Sequence, residues 1–277
     1  MDASTPILRV GIDLSVLLGN LRAAIQHIID VVAYGLSREN DRPPPLGIPG
    51  AFMSYGTAGN LRLSGAQLDS EYRTWLVGAG LRDAVETVSA FLEEVRRAAA
   101  AARFAVGSQP IDTDEWNKIF GPQESKFHRL GLPDKLDELR RFGAELVPNS
   151  AESLLQVNQL RNCLVHRRGI VTERDLNQAT ALEVSWHHFV VGIEQGDEFT
   201  PLRESHLVRE GEQIVMKTTS TTREFVLGER VILSAQEFGE LCYSLSLFGQ
   251  EVVKGFETYL GNLGIPVKLA DETEAQA

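Results

Sequence analysis

Residues 149–169 read Asn149-Ser150-Ala151-Glu152-Ser153-Leu154-Leu155-Gln156-Val157-Asn158-Gln159-Leu160-Arg161-Asn162-Cys163-Leu164-Val165-His166-Arg167-Arg168-Gly169. Leu154, Val157, Leu160 and Leu164 recur three and four apart, the period of a helix that buries one face. The spacing predicts a helix from near Asn149 to His166. Asn149 with Glu152 three residues on has capping-box spacing. Gly169 supplies a stop, because glycine readily takes the left-handed conformation just past a helix end.

The last turns of this helix are unlike the rest of the chain. Residues 158–168 hold Arg161, Arg167 and Arg168 and no acidic residue. The whole chain has 27 Lys and Arg against 38 Asp and Glu, a net charge of −11. That balance argues against a general nucleic-acid coat, which needs a broad basic surface to release counterions. Any RNA contact must come from a local patch, and this is the local patch. It also contains His166, whose side-chain type titrates nearest neutral pH.

Working outward, Leu14, Leu17, Leu18, Leu21, Ile25, Ile28, Ile29 and Val32 predict a first helix over about 13–35, with His27 on its polar side. Prolines 43, 44, 45 and 49 and the glycines around them predict a loop. A second long helix is expected over about 69–103, weakened and open to bending at Gly78 and Gly80. Residues 107–123 read as irregular. A third helix is expected from Pro133, a residue suited to a first turn. Beyond the fourth helix the period changes. Val184, Trp186, His188 and Val190 alternate as in a strand, which puts His187 and His188 on opposite faces. Residues 213–219 and 224–233 read as further strands, with Gly228 at a turn. Ser234 with Glu237 opens a last helix with a capping box. Its stripe is Phe238, Leu241, Leu245, Phe248, Val252, Phe256 and Tyr259. The pattern is one mostly α domain over 1–268, with a small antiparallel β insertion at about 184–233 before the C-terminal helix. An acidic, disordered tail over 269–277 is expected to follow.

With 277 residues and 43% hydrophobic content, the chain can bury a sizeable core. Cys163 and Cys242 both sit in apolar helical patterns and read as buried free thiols of a reducing compartment. The apolar runs are short, so no membrane span is expected, and residues 1–5 lack the basic start of a signal peptide. A cytoplasmic protein is the expectation.

The run Leu160-Arg161-Asn162-Cys163-Leu164-Val165-His166 resembles the motif of the HEPN superfamily: an arginine, a polar residue, then a histidine after four to six intervening positions. The exit Arg167-Arg168-Gly169-Ile170-Val171 is similar to that of many bacterial members. So are two upstream stretches, 75–92 with Leu81-Arg82-Asp83 and Glu86, and 127–139 with Asp134-Lys135-Leu136. The resemblance implies a HEPN-like helical bundle. It implies a metal-independent endoribonuclease with Arg161, Asn162 and His166 as its catalytic residues, completed across a homodimer. Arg167 and Arg168 would bind RNA, and no cofactor or metal is called for. The family context adds bacterial defence or a toxin system, and with it an antitoxin or other protein partner.

The chemistry accounts for these residue types. RNA cleavage needs the 2′-hydroxyl deprotonated, the leaving 5′-oxygen protonated and the charge at phosphorus stabilised. A histidine moves protons in either direction. A guanidinium stays charged and grips phosphate oxygens in pairs. Helix geometry constrains the arrangement: at about 100° per residue, Asn162 and His166 share a face, whereas Arg161 and His166 stand roughly 140° apart. One straight helix does not aim both at one phosphate, so the enzymatic reading implies a second chain. The same residues can also serve structure alone, Asn162 and His166 tying the helix end to its loop and Arg161 pairing an acid such as Glu86. The chain would then be a catalytically silent HEPN-like module for protein interaction. Elsewhere, Arg82 and Glu86 have the spacing of a surface ion pair, and Glu93-Glu94 reads as solvent-facing.

Overall fold

The computed structural model describes residues 12–37, 65–107, 113–143, 146–195, 198–202 and 213–267. The proline-rich loop and the acidic tail expected from the sequence lie outside these residues. Among the described residues the fold is mostly α, with a small antiparallel sheet before the last helix. The helices are α1 (Leu14–Ser37), α2 (Gly65–Gly107), α3 (Thr113–His128), α4 (Leu132–Phe142), α5 (Pro148–His166) and α6 (Ala235–Asn262). The strands β1 (Ala181–Gln195), β2 (Glu198–Pro201) and β3 (Gln213–Val226) lie between α5 and α6, in the order β2-β1-β3.

One buried apolar cluster joins α1, α2, α4, α5, the base of the sheet and α6. α1 contributes Leu14, Leu21, Ile25 and Val32 and packs on α2 and α6. Asp13 starts it: its Oδ1 accepts from the Ser15 hydroxyl at 2.7 Å and from the Ser15 and Val16 amides at 3.0 and 3.1 Å. These bonds, the Ser15 hydroxyl's first, hold the Asp13 carboxyl below its ordinary range. By length and composition alone α1 could cross a membrane, which the short apolar runs of the sequence did not suggest. Here its inner side is part of the core.

α2 runs unbroken through Gly78 and Gly80. Both are points of close approach: a Cβ at Gly80 would stand 2.5 Å from Val32 Cγ2 and 2.9 Å from Phe238 Cζ, and one at Gly78 would stand 3.3 Å from Leu164 Cβ. Val32 and Phe238 are both buried and cannot swing aside. Gly80→Ala is therefore expected to overpack the α1–α2–α6 junction, costing about 1–3 kcal/mol. Urea denaturation checks this. An unchanged midpoint would show that the junction can relax.

Three local expectations are corrected. Residues 113–128 are helical, although 107–123 read as irregular and Gly121 and Pro122 both discourage helix. Tertiary packing overrides them: Phe120 lies tilted against Trp116, ring centroids 4.0 Å apart, and meets Phe104 of α2 edge-on at 5.6 Å. α5 begins at Pro148 with Val147 as its N-cap and no side-chain cap. Proline in the first turn lacks the N–H that a cap would satisfy, so Asn149 is displaced into the helix. The strands expected at 213–219 and 224–233 are one strand ending at Val226, followed by a turn with Gly228 at φ 82°. Only the bridge of Arg230 to Ile170 continues the pairing.

β1 and β3 pair along almost their full length, Trp186 opposite Thr221. Val184 and Trp186 point into the core, and the Trp186 indole N–H donates to Glu240 of α6 at 2.9 Å. The expected capping box closes α6: Ser234 Oγ accepts from the Glu237 amide at 3.1 Å, and the Ser234 amide donates to Glu237 Oε2 at 2.7 Å. Burial pushes the Glu237 carboxyl up, but the Ser234 and Arg223 bonds outweigh it and leave it below its ordinary range.

Candidate functional site

α5 packs on α2, α6 and β1, burying Leu154, Val157, Leu160, Cys163 and Leu164. At its end the Cys163 carbonyl accepts from the Arg167 and Gly169 amides, each at 3.1 Å. Arg168 and Gly169 are left-handed, at φ 53° and 73°. Such a turn suits Gly169; for Arg168 it is uncommon and costs energy. The chain then binds the turn after β3: Val231 donates to the Gly169 carbonyl at 2.7 Å, and Val171 to that of Glu229 at 2.9 Å. The helix end is thus held at a fixed place against the sheet.

Arg161 is only 18% exposed in its side chain. Its Nη1 donates to Asn162 Oδ1 at 2.8 Å and its Nη2 to Glu86 Oε1 at 3.2 Å, while its Nε is buried without a partner. The pairing with Glu86 of α2 is one the sequence raised. Arg82, expected to pair with Glu86, binds Asp83 instead. Asn162 is used by its neighbour Arg161 and does not bond the following loop.

Arg167 turns inward to Asp175, a residue the sequence reading did not single out. The Asp175 carboxylate is fully buried. It takes both Nε, at 2.6 Å, and Nη2 of Arg167, and accepts from the Thr172 amide and hydroxyl at 2.9 and 2.8 Å. The one available signal was the Thr172-x-x-Asp175 spacing, a capping box around the short turn Glu173–Asp175. Arg167 thereby ties the helix end to the buried carboxylate, and an RNA contact by Arg167 would compete with this pair.

His166 and Arg168 differ from these. Both are exposed, and neither has a hydrogen-bond or ion-pair partner among the described residues. The structure therefore does not present Arg161, His166 and Arg167 as one free basic patch: acids from outside the motif balance two of the three. What remains open to solvent is an imidazole and a guanidinium two residues apart.

Cys163, within the motif, is no nucleophile. Burial pushes its thiol up to about 12, helped by the Asp175 carboxylate and only partly offset by Arg167. Cys242 is raised to about 12 by burial alone. Both are free, as the sequence suggested.

A second polar cluster lies further along α2. Lys135 of α4, almost wholly buried, donates to Ser89 Oγ at 2.7 Å and to Glu93 Oε1 at 2.5 Å. Glu93 also meets His128 Nδ1 at 3.0 Å. The expectation of a solvent-facing Glu93 is corrected: its side chain is 24% exposed, because α4 and the end of α3 close over it. Burial pushes its carboxyl up, but Lys135 and His128 outweigh this and hold it below its ordinary range. A carboxylate whose folded value is depressed stabilises the fold above its unfolded value, and that stability is lost as pH falls through the folded value. Lys135→Met should therefore cost about 1–3 kcal/mol at neutral pH and flatten the acid side of the stability curve below the ordinary glutamate range. Denaturation at stepped pH measures both. Parallel curves for the two proteins would mean the pair contributes nothing specific.

Compared with known protein families, curated proteins and solved structures, the chain matches none.

Proposed function

We propose that the chain is a metal-independent endoribonuclease of HEPN type, working as a homodimer on single-stranded RNA. The observation that carries the reading is His166: an exposed imidazole without a partner among the described residues, at the fixed end of α5, inside the Arg161-to-His166 motif. In this reading His166 takes the proton of the 2′-hydroxyl and returns one to the leaving 5′-oxygen. Arg161 stabilises charge at phosphorus. Because Arg161 is held on α2 by Glu86 and faces away from His166 around the helix, the pair that serves one phosphate comes from two chains. The cytoplasm is the compartment implied, in keeping with two buried free thiols. Defence or toxin activity is the context carried by the resemblance alone.

A second reading, a catalytically silent module that holds a protein partner, is favoured by one observation. Arg161 and Arg167 each form an ion pair with an acid of the same chain. Cleavage of a labelled single-stranded RNA in the presence of a chelator separates the two. The first reading expects products ending in a 2′,3′-cyclic phosphate, since the attacking group is the adjacent hydroxyl. Intact RNA at high protein concentration would favour the second.

A further inference from the structure

The groove between α2 and the end of α5 holds a feature that neither reading uses. A pocket of about 300 Å³ lies there, lined by Trp75, Gly78, Ala79 and Arg82 of α2, with Val165 and Arg168 from the other wall. Its floor exists because Gly78 lets Leu164 approach so closely. Trp75 is 67% exposed, an unusual position for a large apolar ring. Arg168 stands opposite in the strained left-handed conformation, without a partner among the described residues. Among the described residues Arg82 is held by Asp83 beside it alone, a surface pair in which both side chains are about half exposed. Such a pair contributes little and yields readily to a better anion. Glu71, the acid among the described lining residues, is engaged by Arg230 at 2.5 Å.

We infer that this pocket takes one nucleotide of a single-stranded RNA, with the base stacked on Trp75 and the adjoining phosphate held by Arg168 and Arg82. An indole face accepts any base, and stacking needs no hydrogen-bond code. Arginine adds the planar fork that matches phosphate oxygens. The volume is at the small end for ligand pockets and suits one ring system, not an extended molecule. Arg168 follows His166 by two residues in the chain, and His166 itself is not among the residues that line the pocket. The inference rests on the ribonuclease reading for its choice of RNA, and it assigns to the pocket the positioning of substrate. The chemistry stays with His166.

The test is binding of a fluorescently labelled RNA pentamer by anisotropy, in chelator, to the full-length wild type and to Trp75→Ala, Arg168→Ala and His166→Ala. Inorganic phosphate and adenosine monophosphate serve as competitors. Trp75→Ala and Arg168→Ala are each expected to weaken binding on the order of 10-fold, with melting temperatures unchanged because both side chains are exposed. His166→Ala, expected to stop cleavage, lets binding of the intact pentamer be read. The monophosphate should compete better than phosphate alone. Pentamer that binds through Trp75 but is never cleaved would uphold the pocket and sink the ribonuclease. Cleavage and binding that ignore Trp75 and Arg168 would overturn the pocket and leave the ribonuclease standing. Failure of the wild type to bind or cleave would overturn both. A Trp75→Ala protein that changes from dimer to monomer on a sizing column, with RNA binding intact, would give this face to a second copy and overturn the inference.

Discussion

His166→Ala is expected to lower cleavage of single-stranded RNA by ~10²–10⁴-fold, the usual worth of general acid–base catalysis, without lowering the melting temperature. The second half of that expectation comes from the structure. His166 is exposed and bonds nothing among the described residues, so its truncation removes no interaction that holds the fold. Arg161→Lys should also impair cleavage, because a lysine cannot reproduce the two-pronged contact with Asn162 and Glu86 or with a phosphate. Activity should survive a chelator. Measuring cleavage and melting on the same proteins keeps the outcomes apart. Wild-type protein that cleaves nothing, beside a His166→Ala protein that melts early, would make the motif a structural knot.

Asp175→Ala is expected to be the most damaging substitution for stability, at about 3–5 kcal/mol, or a fall in melting temperature on the order of 10 °C for a chain of this size. The carboxylate is fully buried and accepts from both prongs of Arg167 and from the Thr172 amide and hydroxyl. Removing it strands a half-buried guanidinium and an unpaired amide just where α5 hands the chain to the sheet. Arg167→Ala should cost a similar amount by leaving the carboxylate buried and alone. Arg168→Ala, one residue on, should cost almost nothing in stability. Thermal unfolding of the three variants decides the matter, and an Asp175→Ala protein as stable as the wild type would show that the ion pair is not what anchors the helix end.

The arginines of the motif show why a sequence window misleads about charge. Residues 158–168 contain no acid, and read alone they form a basic patch. Folding brings in Glu86, 75 residues earlier, and Asp175, eight residues later. The α3 segment shows the same limit for local structure. Gly121 and Pro122 argue against a helix until Phe104 arrives from another helix to pack on Trp116 and Phe120.

What the sequence determined by itself is whatever depends on near neighbours along the chain. The apolar period set α1, α2, α4, α5 and α6 and the inward face of β1 at Val184 and Trp186, because one periodic face must leave water wherever it goes. The Ser234–Glu237 box set the start of α6 because both partners lie within one turn. Only the tertiary structure decided which cations stay free. A charge is balanced by whatever acid the fold carries to within a few ångströms, and that partner's distance along the chain says nothing about its distance in space. It therefore fell to the fold to bring Arg161 and Arg167 to acids the sequence window does not contain. The fold also placed Trp75 opposite Arg168 and left His166 open to solvent.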